Sequence, residues 1–80
     1  MPWIIEESGD CGVHWRHAEL TRCYWHPRVA VLDALAIIRD EWRPPATALH
    51  ELTAALSENL VAYYWTNAIR VRRGGAPAAL

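Results

Sequence analysis

Residues 60–73 read LVAYYWTNAIRVRR, and the fold of the whole chain turns on which period is assigned to them. Helical spacing gives one apolar stripe, Leu49, Leu52, Leu56 and Leu60, that continues to Tyr63, with Glu51 and Glu58 roughly opposite. Strand spacing is satisfied as well, by Val61, Tyr63, Trp65, Ile69 and Val71. The longer stripe favours a helix over about 47–66, and a β-hairpin over 60–73 is the alternative.

Upstream of this stretch the signals are less divided. Pro27 suits the first turn of a helix, where its missing N–H costs nothing. Val31, Leu35, Ile38 and Trp42 then recur at helical spacing until Pro44-Pro45 stops the element, which predicts a helix over about 27–42. Residues 3–26 read as a three-stranded antiparallel meander, with strands at about 3–8, 12–18 and 21–26. Its turns are at Gly9-Asp10-Cys11-Gly12 and Glu19-Leu20. A period of two puts Trp3, Ile5, Val13, Trp15, Cys23 and Trp25 on one face, and Ile4, Glu6, His14, Arg16, Arg22, Tyr24 and His26 on the other. The expected fold is therefore α+β, a small three-stranded antiparallel sheet covered on one face by two helices. Trp15 and Trp25 are expected under the helices, with Arg16 and Tyr24 outward. Residues 1–73 form a single compact domain on this reading, and 74–80 a flexible tail.

Composition sharpens the picture. The chain has 80 residues, of which 52% are hydrophobic, enough for one core near the lower size limit of a single domain. It carries eight arginines and no lysine, five tryptophans and no phenylalanine. Trp and Arg are the residues most enriched at interface hot spots, and each indole can bury roughly 200 Å². The formal net charge is −1, but residues 1–69 hold five arginines against nine carboxylates, while Arg70, Arg72 and Arg73 follow with no acid. An acidic body with a basic end argues against direct nucleic-acid binding, whose footprint is a basic face. Glu6, Glu7 and Asp10 interrupt any apolar leader, and no apolar run approaches ~20 residues, so no membrane span is expected and the expected location is cytoplasmic. Cys11 and Cys23 are then expected to be reduced.

Several constellations carry candidate chemistry. Cys11 with His14 and Cys23 with His26 form two C-x₂-H pairs, a spacing that can hold zinc and staple a small fold. On strands, however, residues i and i+3 point to opposite faces, so no cofactor is expected; a zinc-stabilised module that binds nucleic acid or protein is the first alternative. A disulfide is not expected either. With Trp15 paired to Cys23, Cys11 lies roughly 13 Å away, beyond the ~4.4–6.8 Å between Cα atoms that a bridge needs. Four histidines, Ser8 and Ser57 supply acid–base groups, but there is no nucleophile elbow, phosphate loop or H-E-x-x-H. A small nuclease or toxin dependent on His14 and His17 is the second alternative.

The acids on the helices suggest a partner. Asp33 and Asp40 are seven residues apart, as are Glu51 and Glu58, and each pair spans ~10 Å along its axis. With Glu41 they can dock on a basic groove that normally holds nucleic acid, with electrostatic steering speeding association. Arg16, Arg22, Tyr24 and His14 on the open sheet face are the alternative partner-binding set, since basic groups among aromatics suit single strands. The leading expectation is a small non-enzymatic binding or inhibitor protein that acts on a protein partner as a monomer or homodimer. At the level of class, one expected kind is the anti-CRISPR type of inhibitor carried by phages and mobile elements.

Overall fold

The computed structural model describes residues 2–18 and 23–74. Residues 61–73 form a hairpin, β3 (Val61–Tyr64) and β4 (Asn67–Arg73), and the helix expected to reach Thr66 ends at Asn59. Leu60 takes a left-handed conformation (φ 62°), its N–H bonded to the Leu56 carbonyl at 3.0 Å and its own carbonyl accepting from Val71 N–H at 2.8 Å. The leucine stripe thus closes on the strand that follows. Beyond it, β-branched and aromatic side chains lose rotamer freedom in a helix and keep it in a strand. Tyr64 pairs with Asn67 across a two-residue loop. Trp65, the first loop residue, has φ 55°, the sign that both favoured two-residue hairpin turns require there. The hairpin alternative is what the chain adopts, and Tyr63 is an exposed strand residue rather than the end of a helical stripe.

The architecture is the expected one, an antiparallel sheet covered on one face by two helices, but its strands are different. The sheet has four strands in the order β2-β1-β4-β3. β1 is Trp3–Ser8 as expected, whereas β2 shrinks to Arg16–His17. The strand expected over 21–26 reduces, within the described residues, to one bridge between Trp3 and Tyr24, with backbone bonds of 2.6 and 2.8 Å. Residues 19–22, which include the expected second turn and Arg22, lie outside the described residues, as do 75–80 of the expected tail.

Helix α1 (Pro27–Ile37) starts as expected: Pro27 sits in its first turn, and His26 caps it by accepting the Arg28 N–H at 3.3 Å. It runs into a π-helical turn, Ile38–Trp42, ended by Arg43 in the left-handed region. Pro45 precedes α2 (Ala46–Asn59). α1 packs on β1 and β4, and α2 on β3. Ile5, Ala62, Ile69 and Val71 meet Ala34, Ile38, Leu52 and Leu56 in the core. Trp42 stacks on Tyr64 at 6.5 Å between ring centroids and joins the end of the first helical stretch to the hairpin.

Among the described residues, the expected facing of Val13, Trp15, Cys23, Tyr24 and Trp25 is overturned, and Trp15 lies half-buried against Arg70 rather than under the helices. Trp25 is 84% exposed, Val13 and Cys23 are exposed, and Tyr24 is the buried residue. A one-residue shift of register moves every side chain to the other face. Here Tyr24 pairs with Trp3, whereas the expected partners were Cys23 and Trp15. Burial suits Tyr24 because its hydroxyl donates to Asp33 Oδ2 at 2.6 Å.

Arg43 (φ 48°) is exposed, and its side chain makes one hydrogen bond, from Nε to the Asp40 carbonyl. A non-glycine residue in this region is strained, so Arg43→Gly is expected to raise stability by about 0.5–1 kcal/mol. In a domain of this size that is a rise of roughly 2–8 °C in a thermal melt.

Candidate functional site

The face of the sheet away from the helices carries the most organised polar chemistry in the molecule. Strand alternation sends Ile69 and Val71 into the core and turns Arg70 and Arg72 to the opposite face, ~7 Å apart along β4. There they meet Glu6 of β1, which pairs directly with Arg70. Glu6 Oε1 accepts from Arg70 Nε at 2.8 Å and Arg72 Nε at 2.6 Å, and Oε2 accepts from Arg72 Nη2 at 3.2 Å. The Glu6 side chain is only 7% exposed. Burial by itself pushes this carboxyl up; the hydrogen bonds from Arg72 and Arg70, with their charges, outweigh burial and hold its pKa below the ordinary value. The hydrogen bond to Glu6 likewise raises Arg72.

Two aromatic rings complete this face. The Arg70 guanidinium lies 4.1 Å from the centroid of the Trp15 ring, a cation–π contact. Gly12 (φ +86°) lets the loop approach both rings: a Cβ there would meet Trp15 Cζ2 at 3.1 Å and Tyr63 Cε1 at 3.3 Å. The loop is held by a knot of short bonds. Ser8 Oγ donates to Asp10 Oδ1 at 2.6 Å and accepts from Gly12 N–H at 2.9 Å. His14 bonds Asp10 through its N–H at 2.9 Å and through Nδ1 at 2.6 Å. The Ser8 hydroxyl first, then the two His14 contacts, hold the Asp10 carboxyl far below its usual range. Cys11 fastens the loop to the hairpin, its N–H donating to Thr66 O at 2.8 Å and its thiol to Trp65 O at 3.6 Å.

This knot settles where the expected ligands and nucleophiles lie. Cys11 and His14 are engaged in the loop, His26 caps α1, and Cys23 is exposed on the approach to that helix. The four do not converge, and among the described residues no three His, Cys, Asp or Glu side chains come close enough to share a metal ion. Ser8 is buried and gives its proton to Asp10, where a nucleophile would hydrogen-bond an imidazole base. His17 lies on β2, apart from the Asp10–His14 pair.

The acid set is partly redistributed. Asp33 accepts the buried Tyr24 hydroxyl and so braces α1. Asp40 and Glu41 are exposed in the π-helical turn, with Arg39 Nε 4.0 Å from Asp40. Glu51 and Glu58 are exposed on α2; Glu51 borders a groove between α2 and β3, and Glu58 a groove of about 720 Å³ between the helices. That second groove is lined by Val31, Leu32, Leu35 and Leu60. Leu32 itself is 66% exposed, and Val29, also on α1, is 50% exposed. Of the alternative set, Arg16 is exposed on β2, Tyr24 is buried, His14 is bound to Asp10, and Arg22 lies outside the described residues.

Sequence reasoning missed Glu6, Arg70, Arg72, Trp15 and Tyr63 as one surface. The Ile-Arg-Val-Arg alternation at 69–72 was the available signal, and it required the hairpin to be chosen over the helix. No described helix is long and apolar enough to cross a membrane. Neither a protein-family model, nor a curated protein, nor a solved structure matches this chain.

Proposed function

We propose that this chain is a non-enzymatic binding protein that docks, as an inhibitor does, on a protein partner with a basic groove of the kind that holds nucleic acid. The observation that carries this reading is the outer side of α1. Leu32 lines the interhelical groove and is exposed, and Val29 on α1 and Trp25 just before it are also large, apolar and exposed, in a domain small enough that such area is costly to leave in water. Trp is among the residues most enriched at interface hot spots, and an exposed one suits an interface anchor. Glu58 at the groove, with Glu51, Asp40 and Glu41 along the same helical layer, supplies charge of the sign a basic partner attracts. Asp33 stays with Tyr24 and is left out of the contact set. The exposed apolar side favours this reading over the zinc module and the histidine nuclease, which call for convergent ligands or an imidazole beside a nucleophile.

The test uses variants that spare the core. Asp40→Asn, Glu41→Gln, Glu51→Gln and Glu58→Gln together are expected to leave the melting temperature within about 3 °C, because exposed charges contribute little to stability. Association with the captured partner is expected to slow at least tenfold, and wild-type association to slow as salt rises. Trp25→Ala is expected to cost about 2 kcal/mol or more of affinity, read mainly in dissociation. Duplex DNA is expected to compete for the partner. A complex that ignores salt, duplex DNA and all of these substitutions refutes the proposal.

A further inference from the structure

We propose that the side of the sheet away from the helices binds single-stranded nucleic acid, with Trp15 and Tyr63 stacking on bases and Arg70 and Arg72 contacting phosphates. This face is opposite the helices and independent of the acidic helical layer.

The first argument concerns Glu6. A buried carboxylate under two arginines is not explained by stability, because apolar residues of similar volume commonly serve as well or better. What Glu6 does is fix two guanidiniums on alternate residues of one strand. Long, flexible side chains are thereby ordered before any ligand arrives, which removes part of the entropy cost of binding. Two guanidiniums over one carboxylate leave a local charge of +1, of the sign that phosphate needs. Arg70 uses only Nε on Glu6, and its two Nη groups make no hydrogen bond within the described residues. A guanidinium with its terminal nitrogens unspent is the group that grips phosphate with two parallel bonds.

The second argument concerns the rings. Trp15 is held by Arg70 on one side and by the Gly12 loop at its edge, and Tyr63, 56% exposed, flanks the same glycine. Rings braced by backbone and a cation are ready platforms, and every base offers a π-face to such a platform. A surface that sets two arginines beside two aromatic rings fits a strand whose bases are splayed, whereas a duplex hides its base faces. The acidic remainder of the chain limits non-specific electrostatic binding, so stacking is expected to provide the selectivity for single strands.

The experiment measures binding of the full chain to labelled 12-nucleotide oligo-dT and oligo-rU, and to a matched duplex, by fluorescence anisotropy at several salt concentrations. Single strands are expected to bind at least tenfold more tightly than the duplex. With two phosphates neutralised, the slope of log affinity against log salt is expected near −1.4. Tyr63→Ala and Trp15→Ala are expected to weaken binding about tenfold each, Tyr63→Phe to retain it, and Arg70→Ala to weaken it and flatten the salt slope by about 0.7. Tyr63 is exposed, so its variants remain informative if Trp15→Ala does not fold. Trp25→Ala and the helix-acid variant are expected to bind oligonucleotides as the wild type does, which keeps this proposal separable from the protein-partner reading. Three results overturn it: no measurable binding, equal affinity for duplex, or full affinity in Tyr63→Ala and Arg70→Ala. Loss of a protein complex in Tyr63→Ala without any oligonucleotide binding likewise overturns it and assigns the face to a protein.

Discussion

Ile69→Ala is expected to lower the melting temperature by more than about 10 °C, whereas Trp25→Ala leaves it within about 3 °C of the wild type. Ile69 is fully buried on β4, a central strand, with Glu7 of β1 on one side and Ala62 of β3 on the other. Truncating a buried isoleucine removes its transfer energy and leaves a cavity, together about 2–5 kcal/mol. A chain of this length has on the order of 4–12 kcal/mol to lose, at 0.05–0.15 kcal/mol per residue. Each kilocalorie corresponds to roughly 4–8 °C in a domain this small. Trp25, at 84% exposure, is removed at a cost of about 0.5 kcal/mol or less. Circular-dichroism melts of the two variants check both. The reverse ranking, with Trp25→Ala disabling and Ile69→Ala harmless, is what a meander with Trp25 in the core and a helix through Thr66 requires, and it would refute the hairpin fold.

That contrast also marks where the fold is legible in the sequence. Pro27 and the Pro44-Pro45 pair bracket the first helical stretch because proline acts locally, by fixing its own φ and removing a donor. The leucine stripe locates α2 because helical neighbours are three and four residues apart. Strand pairing has no such local record. β1 is held by β4, sixty or more residues later in the chain, and nothing near Glu6 announces Arg70 and Arg72. A charged residue in a strand reads as solvent-facing until its distant partners are known, so strand period alone places Glu6 on an outer face and carries no sign of its burial. Residues 60–63 fit the helical stripe while 61–71 fit a strand period, and a short apolar run cannot be resolved by periodicity alone. Among the described residues of 13–25, only Arg16–His17 and the Tyr24 bridge keep strand pairing, so the expected alternation has no ladder to fix it, and Tyr24 rather than its neighbours Cys23 and Trp25 is buried. The composition did point to a surface rich in Trp and Arg. Which tryptophans and arginines reach that surface depended on β4.

Glu6 also gives the chain a specific acid sensitivity, and Glu6→Gln is the variant that exposes it. At pH 7 the substitution is expected to destabilise the fold by about 1.5–3 kcal/mol, the range for losing hydrogen bonds to charged groups. The pH dependence follows from the lowered pKa. In the unfolded chain Glu6 titrates near the ordinary value of 4.5, and in the folded chain below it. Between those two values the unfolded state binds more protons, so stability rises with pH there and falls as the solution is acidified. Glu6 therefore contributes its full share above ~5 and loses it as pH drops through the folded pKa. Asp10, held low by Ser8 and His14, acts in the same direction and continues to lower pH. Urea unfolding at pH 7, 5, 4 and 3 is expected to show wild type and Glu6→Gln far apart at pH 7 and converging toward pH 3. The variant is expected to keep the shallower acid slope that belongs to Asp10. A constant gap across that range would mean that the carboxylate is not what the two arginines hold, and would remove the charge pairing from the account of the open face.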